Sequence, residues 1–434
     1  MYKLKIKGGC QLKGEIRISG SKNACLAVLA GSILCDKPIT FIDVPDIKDV
    51  GTMNSLLLDL GGQITLDATR FEELGVNTSV WNIDNSNINK QIAEYDFVKK
   101  MRASVFVLGP LLTRFGKAQV SLPGGCAIGV RAVDIHLDGL KALGADIEIV
   151  NGYINAKAPN GLTGCEYTLN LPSVGATENL MSAAVLAKGT TILKNVAREP
   201  EVITLAEFYN SIGANIHGQG THEITIHGVK QQDLHGTTFN IPSDRIEAGT
   251  YAIAAAITNG RLLLTNCDMS VFNKKIQEKF KSIGIGIESS YDGYGKPAVS
   301  AFKLHEFTAT DIETEYYPGF PSDLQAQTMI PLLLSNGKST VIENIFENRL
   351  QHVAELRRMG ADIATQGTTA IINGNKKLTG ASVMATDLRA SASLVLAGLV
   401  ANGETIIDRI YHLDRGYENL EVKLRNCGAE INRA

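Results

Sequence analysis

The sequence lacks the features of a membrane or secreted protein. No apolar run in its 434 residues approaches the ~20 residues that a transmembrane helix needs. The N-terminal segment MYKLKIKGG alternates polar and apolar residues, as a strand does, and it has neither the apolar core nor the small-residue cleavage site of a signal peptide. These absences favour a cytoplasmic location and no membrane partner.

Paired cysteines and a charge excess of one sign are also absent. The seven cysteines are scattered and form no C-x-x-C pair, so we expect reduced thiols, no disulfide framework and no metal site. Lys and Arg number 42 against 45 Asp and Glu, which does not favour nucleic acid as a partner. No G-x-x-x-x-G-K-[ST] loop or G-x-G-x-x-G fingerprint is present, and we expect no cofactor.

What the sequence does contain is a repeat. A helix tail that ends in Gly, followed by a short strand, occurs six times at intervals of about 70 residues. An Ala/Leu-rich helix, a Gly break and a β-branched strand recur with the same rhythm, which predicts six α/β units, each with one buried apolar helix. The marker glycines stand where a helix C-cap requires the left-handed conformation; they are Gly61, Gly144, Gly213, Gly284, Gly360 and Gly428.

The two ends of the chain complement each other. The last repeat stops at GAEINRA, whereas the opening segment LKIKGGCQLKGEIRISGSKNA aligns with AIINGNKKLTGASVMATDLRA of the preceding repeat. The N-terminal segment is therefore predicted to complete the sixth unit. We expect two three-repeat α/β domains, residues 21–241 and residues 1–20 plus 242–434, with the active site in the cleft between them.

The starts of the apolar helices are polar. One interpretation is that their acidic and hydroxyl residues simply cap the helices, as Asp323 in FPSDLQAQT and Asp387 in ATDLRAS would. The cations there are harder to explain, because a helix dipole disfavours a cation at the N-terminus unless an anion is bound. They predict a phosphate- or carboxylate-bearing ligand, and they are Lys22, Arg102, Arg245 and Arg389.

A set of longer motifs runs in order along the chain from Lys3 to the C-terminus. They include SKNACLAVLAGSIL, SLPGGCAIGVRAVDIHLDGLKALGA, FPSDLQAQ, IFENRLQHVAELRRMGAD, ATDLRASASLVLAGL and IYHLDRGYENL. On these motifs the chain resembles the UDP-N-acetylglucosamine branch of the enolpyruvyl transferase family, whose fold is a two-domain inside-out α/β barrel of six repeats, three per domain. Its reaction would transfer the enolpyruvyl group of phosphoenolpyruvate to the 3'-hydroxyl of UDP-N-acetylglucosamine, releasing phosphate, in the first committed step of peptidoglycan precursor synthesis.

The resemblance implies roles for residues at matching positions. Those implied in catalysis are Cys126, Asp323, Lys22 and Arg415. Those implied at phosphoenolpyruvate are Lys22, Asn23, Arg131, Arg349, Asp387, Arg389 and Arg415. Those implied at the sugar nucleotide are Asn23, Arg102, Arg131, Ala132, Val133, Asp134, Ile135, Leu171, Pro172, Ser173, Val174, Asp323 and Ile345.

Cys126 has two interpretations. In an anonymous glycine loop it would be a small turn residue, whereas the resemblance implies the acid that protonates the vinyl carbon, a covalent adduct with phosphoenolpyruvate and alkylation by fosfomycin. Nearby cations would lower the pKa of such a thiol. The surrounding Gly124, Gly125 and Gly129 predict a mobile lid. Ala132 stands where the family has Pro, which loosens the backbone after Arg131.

Two other functions stay open from the sequence. The shikimate branch of the family shares the fold and phosphoenolpyruvate but not the loop cysteine. A catalytically silent sugar-nucleotide sensor would keep only the binding site. The partners expected are the two small-molecule substrates, for a monomer or weak homo-oligomer.

Overall fold

A computed structural model describes residues 3–66, 79–99, 101–122 and 133–434. Contacts divide these residues into two compact units. The first unit comprises the described residues between 20 and 242, and the second unit comprises residues 3–19 and 243–434.

The secondary structure alternates between helices and short strands. The described strands are β1 (Leu4–Lys7), β2 (Lys13–Arg17), β3 (Ile39–Ile42), β4 (Gln63–Leu66), β5 (Val80–Asp84), β6 (Ile92–Ala93), β7 (Lys117–Ser121), β8 (Asp146–Val150), β9 (Tyr153–Lys157), β10 (Glu166–Thr168), β11 (Thr190–Lys194), β12 (Asn215–His217), β13 (Glu223–His227), β14 (Thr238–Asn240), β15 (Arg261–Thr265), β16 (Ile285–Tyr291), β17 (Pro297–Lys303), β18 (Ile312–Glu313), β19 (Lys338–Ile342), β20 (Ile363–Gln366), β21 (Thr369–Asn373), β22 (Ser382–Met384), β23 (Glu404–Asp408) and β24 (Glu430–Arg433).

The described α-helices are α1 (Lys22–Gly31), α2 (Lys48–Asp59), α3 (Tyr95–Val98), α4 (Leu108–Phe115), α5 (Asp134–Ala142), α6 (Val174–Ala184), α7 (Pro200–Ser211), α8 (Arg245–Ile257), α9 (Lys274–Ile283), α10 (Ser322–Leu334), α11 (Val353–Arg358), α12 (Leu388–Val400) and α13 (Leu420–Asn426). Short 3₁₀ helices cover Ser32–Leu34, Arg102–Val107, Gln231–Asp233, Met269–Val271, Arg349–His352 and Ile410–Arg415.

One sheet pattern occurs six times in the described chain. In each sheet the first strand is parallel to the second, and the third is antiparallel to both the second and the fourth. The prediction of six α/β repeats, three per domain, is confirmed. The orders are β14-β3-β5-β4, β6-β7-β9-β8 and β10-β11-β13-β12 in the first unit, and β2-β15-β17-β16, β18-β19-β21-β20 and β22-β23-β1-β24 in the second.

Strands distant in sequence close the repeats. β1 lies between β23 and β24 and is antiparallel to both, so the N-terminal strand completes the last sheet, in the position that its alignment with the fifth repeat predicts. β2 then pairs in parallel with β15. In the first unit β14, the last strand, returns to pair with β3.

The six marker glycines all adopt the left-handed conformation predicted for them. Their φ angles are 105° at Gly61, 94° at Gly144, 103° at Gly213, 111° at Gly284, 90° at Gly360 and 101° at Gly428. Because a side chain is strained at such angles, only glycine turns the chain freely from helix into strand there.

The predicted apolar helices form the core of each unit. In the second unit α8, α10 and α12 contact one another, and every residue of Ile246–Ile257 and Arg389–Leu399 is buried. Each helix is apolar along most of its length and polar at its first turn, so the interior of this unit brings three polar helix starts into one cluster. No helix among the described residues is long and apolar enough to cross a bilayer.

Candidate active site

Asp323, at the start of α10, is bound by two arginines of the second unit. Its Oδ1 lies 2.6 Å from a terminal nitrogen of Arg349, and its Oδ2 lies 2.7 Å from a terminal nitrogen of Arg389. The two arginine side chains are only 3% and 4% exposed, whereas that of Asp323 is 28% exposed. These three predicted site residues, from two neighbouring repeats, therefore meet in one buried cluster with its carboxylate facing outward.

The capping interpretation is right for one aspartate and wrong for the other. Asp387 is the N-cap of α12, and its Oδ1 accepts from the backbone N–H groups of Arg389 and Ala390. The N-cap of α10 is instead Pro321, which offers no side-chain acceptor. Because α10 begins two residues earlier than a cap at Asp323 would require, Asp323 lies in the first turn and its carboxylate is directed to the arginines.

Further hydrogen bonds hold Arg389. The Tyr417 hydroxyl accepts from Arg389 at 3.4 Å and from Gln327 at 3.2 Å, and it lies 2.9 Å from the Thr250 hydroxyl. Burial lowers the pKa of Arg389, but the charges of Asp323, Tyr417 and Asp244 and the hydrogen bond to Asp323 together outweigh it, and the net shift is upward. Arg389 therefore keeps its charge inside the protein.

His352 supports the other arginine. Its Nδ1 donates to the carbonyl oxygen of Arg349 at 3.1 Å, and its Nε2 lies 3.3 Å from the Met329 sulfur. Burial lowers the pKa of His352 to about 4. The ring is thus neutral at pH 7, and it adds no further positive charge beside Arg349.

In the first unit Lys22 is the first residue of α1, after the N-cap Ser21. Its Nζ lies 2.9 Å from Oδ2 of Asp49, and both side chains are largely buried. The sequence argument left this cation in need of an external anion, but an internal carboxylate already lies beside it. The same is true of Arg389, so helix-start cations alone are weaker evidence for a ligand than expected.

Those predicted sugar-nucleotide residues of the first unit that the structure describes lie at or just before helix starts. Ser173 is the N-cap of α6, and its hydroxyl accepts from the Ala176 N–H. Leu171 is 53% exposed. Val133 is the N-cap of α5, which begins at Asp134. These segments offer backbone polar groups and an accessible apolar side chain.

The buried interior behind these segments fixes their helices to each other. Asn179 of α6 accepts from the Gly109 N–H at 2.6 Å, and its amide nitrogen lies 3.1 Å from His136 Nδ1 of α5. Burial, together with the charge of Arg102, lowers the pKa of His136 to about 4. His136 is therefore neutral at pH 7, within reach of the charge of Arg102, the first residue of its 3₁₀ helix.

The remaining predicted residues are distributed as follows. Arg415 ends the 3₁₀ helix Ile410–Arg415, where its charge contributes, after burial, to a lowered pKa of His412. Asn23 is the second residue of α1 and is partly buried, as is Ile345. Cys126, Arg131, Ala132 and the lid glycines lie outside the described residues.

The Asp323 cluster of the second unit, formed by Asp323, Arg349 and Arg389, is suited to bind an anionic group next to a hydroxyl group. Its one carboxylate faces two guanidinium groups, so the three side chains carry an excess of positive charge. Guanidinium forks bind carboxylate and phosphate oxygens well, and an outward carboxylate accepts a hydrogen bond from a hydroxyl. No group of three or more His, Cys, Asp and Glu side chains within the described ranges is arranged to hold a metal ion.

The sequence profile of the family described as EPSP synthase (3-phosphoshikimate 1-carboxyvinyltransferase) matches residues 6–424. The chain belongs to this family of enolpyruvyl transferases. Proteins named UDP-N-acetylglucosamine 1-carboxyvinyltransferase from Desulforapulum autotrophicum and Dinoroseobacter shibae are 52% and 48% identical over the whole chain, covering 100% and 99% of those proteins. The enolpyruvyl transferase NikO from Streptomyces tendae has the same fold, with a TM-score of 0.87 at 23% identity, and the match covers 100% of this chain and 99% of NikO.

Several structural partners in this enolpyruvyl transferase were not found from the sequence. Asp49, His352, Tyr417 and Glu343 each touch a predicted residue or its immediate neighbour. Tyr417 stands within the quoted motif IYHLDRGYENL, which was the available signal. His352 lies three residues after Arg349 within the quoted motif IFENRLQHVAELRRMGAD, and Glu343 lies two residues before Ile345. Asp49 meets Lys22 only when segments distant in sequence are brought together.

Proposed function

We propose that this enolpyruvyl transferase moves the enolpyruvyl group of phosphoenolpyruvate to the 3'-hydroxyl of UDP-N-acetylglucosamine and releases phosphate. The observation that carries the proposal is the match, over the whole chain, to two proteins of about 50% identity that bear this name. The description of the family profile names 3-phosphoshikimate as the acceptor. Shikimate 3-phosphate is therefore the alternative acceptor that an assay must include.

Asp323 is proposed to orient the sugar hydroxyl. Both of its oxygens accept from guanidinium groups, and neighbouring positive charge makes a carboxylate a weaker base. A carboxylate oxygen can accept more than one hydrogen bond, including one from a hydroxyl group. Asp323 therefore suits a role in which it first aligns the hydroxyl and then accepts its proton.

Arg349 and Arg389 are proposed to bind the anionic groups of phosphoenolpyruvate, with Lys22, Asn23, Arg131, Asp387 and Arg415. An anion that shares the two guanidinium groups would draw positive charge away from Asp323. The carboxylate would then be most basic when both substrates are bound, the state in which the hydroxyl must lose its proton. Buried guanidinium groups of fixed geometry also stabilise charge that develops on the departing phosphate.

Cys126 is proposed to protonate the vinyl carbon and to form the covalent adduct, with closure of its loop excluding water. The sugar nucleotide is proposed to contact the segments at residues 131–135 and 171–174, with Arg102, Asn23 and Ile345. Backbone N–H groups at the start of α6 support this assignment, because a helix N-terminus favours an anion such as a diphosphate. Both substrates are soluble metabolites, which supports a cytoplasmic site of action. The chain is proposed to act as a monomer or weak homo-oligomer.

Phosphate release from phosphoenolpyruvate tests the acceptor. We expect release with UDP-N-acetylglucosamine and none with shikimate 3-phosphate. Release with the shikimate acceptor alone would contradict the proposal, and release with neither would favour a silent binding protein. An Asp323→Asn variant is the matched control, since it retains the shape of the side chain and is expected to lose turnover.

A further inference from the structure

Glu343 is a buried carboxylate that follows β19 and has no role in the proposal above. It is 1% exposed. Its Oε1 accepts from the Thr314 hydroxyl at 3.0 Å and from the backbone N–H groups of Ile345 at 2.9 Å and Phe346 at 3.1 Å. Its Oε2 accepts from the Ser322 hydroxyl at 2.9 Å.

Three of these four donors belong to the segments that carry proposed site residues. Ser322 is the first residue of α10 and immediately precedes Asp323. Ile345 and Phe346 lie in the loop that leads to Arg349, where Ile345 is a proposed sugar-nucleotide contact and Arg349 binds Asp323. One carboxylate thus connects both sides of the Asp323–Arg349 ion pair.

The chemistry of the contacts suits positioning. A buried charge is costly unless hydrogen bonds compensate it, and four donors on one carboxylate provide that compensation. Thr314, which is fully buried, also accepts from the Asn344 N–H at 2.9 Å, so the loop is held from two directions. Such bonds fix a loop whose backbone has little regular structure of its own.

We propose that Glu343 is a positioning residue for the transferase reaction. It fixes the start of α10 relative to the loop from Ile345 to Arg349, so that Asp323 and Arg349 are both correctly placed to contact the substrates. The inference rests on the proposed function, because it assigns the effect to Asp323 and Ile345 as substrate contacts. Glu343 itself touches neither substrate and transfers no proton.

The test compares Glu343→Gln with Glu313→Gln. The glutamine at 343 keeps its shape and one oxygen acceptor but loses its charge, which weakens the bonds to all four donors. Glu313 is an exposed residue that accepts from the Asn344 side chain of the same loop, so its variant controls for loop polarity. We expect the first variant to lower kcat about tenfold and to raise the KM for UDP-N-acetylglucosamine several-fold, the loss of roughly one charge-assisted hydrogen bond. The control should stay within about twofold of the wild type.

Ser322→Ala tests the hydrogen bond from α10 to Glu343 separately from the bonds that the loop makes to Glu343. It removes only the helix contact, so kcat should fall while the KM for UDP-N-acetylglucosamine stays near the wild-type value. A general loss of stability would not produce this split. Equal kinetics of the wild type and Glu343→Gln, with circular dichroism showing both folded, would overturn the proposal.

Amide hydrogen exchange supplies a readout that does not depend on activity. The Ile345 and Phe346 amides should exchange faster in Glu343→Gln than in the wild type, and at the wild-type rate in Glu313→Gln. Unchanged exchange at both would overturn the positioning role. If instead the wild-type protein showed no turnover with UDP-N-acetylglucosamine, the proposed function would fail and with it the catalytic consequence of Glu343, while exchange would still decide whether Glu343 holds the loop.

Discussion

Replacing Asp323 by Asn removes the negative charge that is paired with both Arg349 and Arg389. The substitution is nearly isosteric, so it leaves no cavity, but it leaves two buried guanidinium groups facing a neutral amide. Both arginines remain desolvated, with 3% and 4% of their side chains exposed. We therefore expect the variant to be destabilised as well as inactive.

The magnitude follows from the geometry. With the N···O distances of 2.6 and 2.7 Å, the charge centres lie about 4 Å apart, and an effective dielectric constant of about 20 gives about 4 kcal/mol for each pair. The retained amide hydrogen bonds offset part of this, and removal of one partner from a buried pair commonly costs 3–5 kcal/mol. For a unit of about 200 residues, that loss lowers the melting temperature by on the order of 10 °C.

Thermal unfolding followed by circular dichroism measures the effect. Asp362→Asn is the control, because Asp362 pairs with Lys376 at 3.6 Å in the same unit with both side chains nearly half exposed; it should cost less than about 1 kcal/mol. Equal melting temperatures for the two variants would refute the claim that the Asp323 pairs are buried and structurally important.

Two further predictions concern cysteine reactivity and pH. After treatment with fosfomycin, mass spectrometry should find the adduct on Cys126 and none on Cys25 or Cys267. Burial raises the pKa of the Cys25 and Cys267 thiols, that of Cys267 to about 12, so neither forms the reactive thiolate readily. An adduct on either buried thiol with Cys126 unmodified would contradict this. For His352 the folded-state pKa of about 4 lies below the unfolded value of about 6.5. Its contribution to the free energy of unfolding is therefore complete above pH 6.5 and is lost as the pH falls toward 4, by up to about 3 kcal/mol. His352→Gln should reduce the difference in melting temperature between pH 7 and pH 5, and an unchanged difference would contradict this.

The repeat architecture was predictable because its signals are local. A glycine at a helix C-terminus reports its own backbone conformation, and all six marker glycines have the predicted positive φ. The alternation of apolar helix and β-branched strand likewise depends on neighbours in sequence. Together these patterns determined the number of units, and the alignment of the two chain ends placed β1 in the last sheet.

The partners of the site residues were not predictable in the same way. Asp323 and Asp387 occupy similar polar helix starts in sequence, yet one binds two arginines and the other caps a helix. The arginines that bind Asp323 are 26 and 66 residues away in sequence. Which carboxylate meets which cation depends on the packing of α10 against α12, which no local pattern specifies.

The most direct test of the central claim is the identity of the product. Incubation with phosphoenolpyruvate and UDP-N-acetylglucosamine should yield a sugar nucleotide heavier by one enolpyruvyl group, with NMR showing an ether bond at the 3-position of the glucosamine and one phosphate released per product. Unmodified UDP-N-acetylglucosamine, together with an enolpyruvyl group on shikimate 3-phosphate in a parallel reaction, would contradict the account.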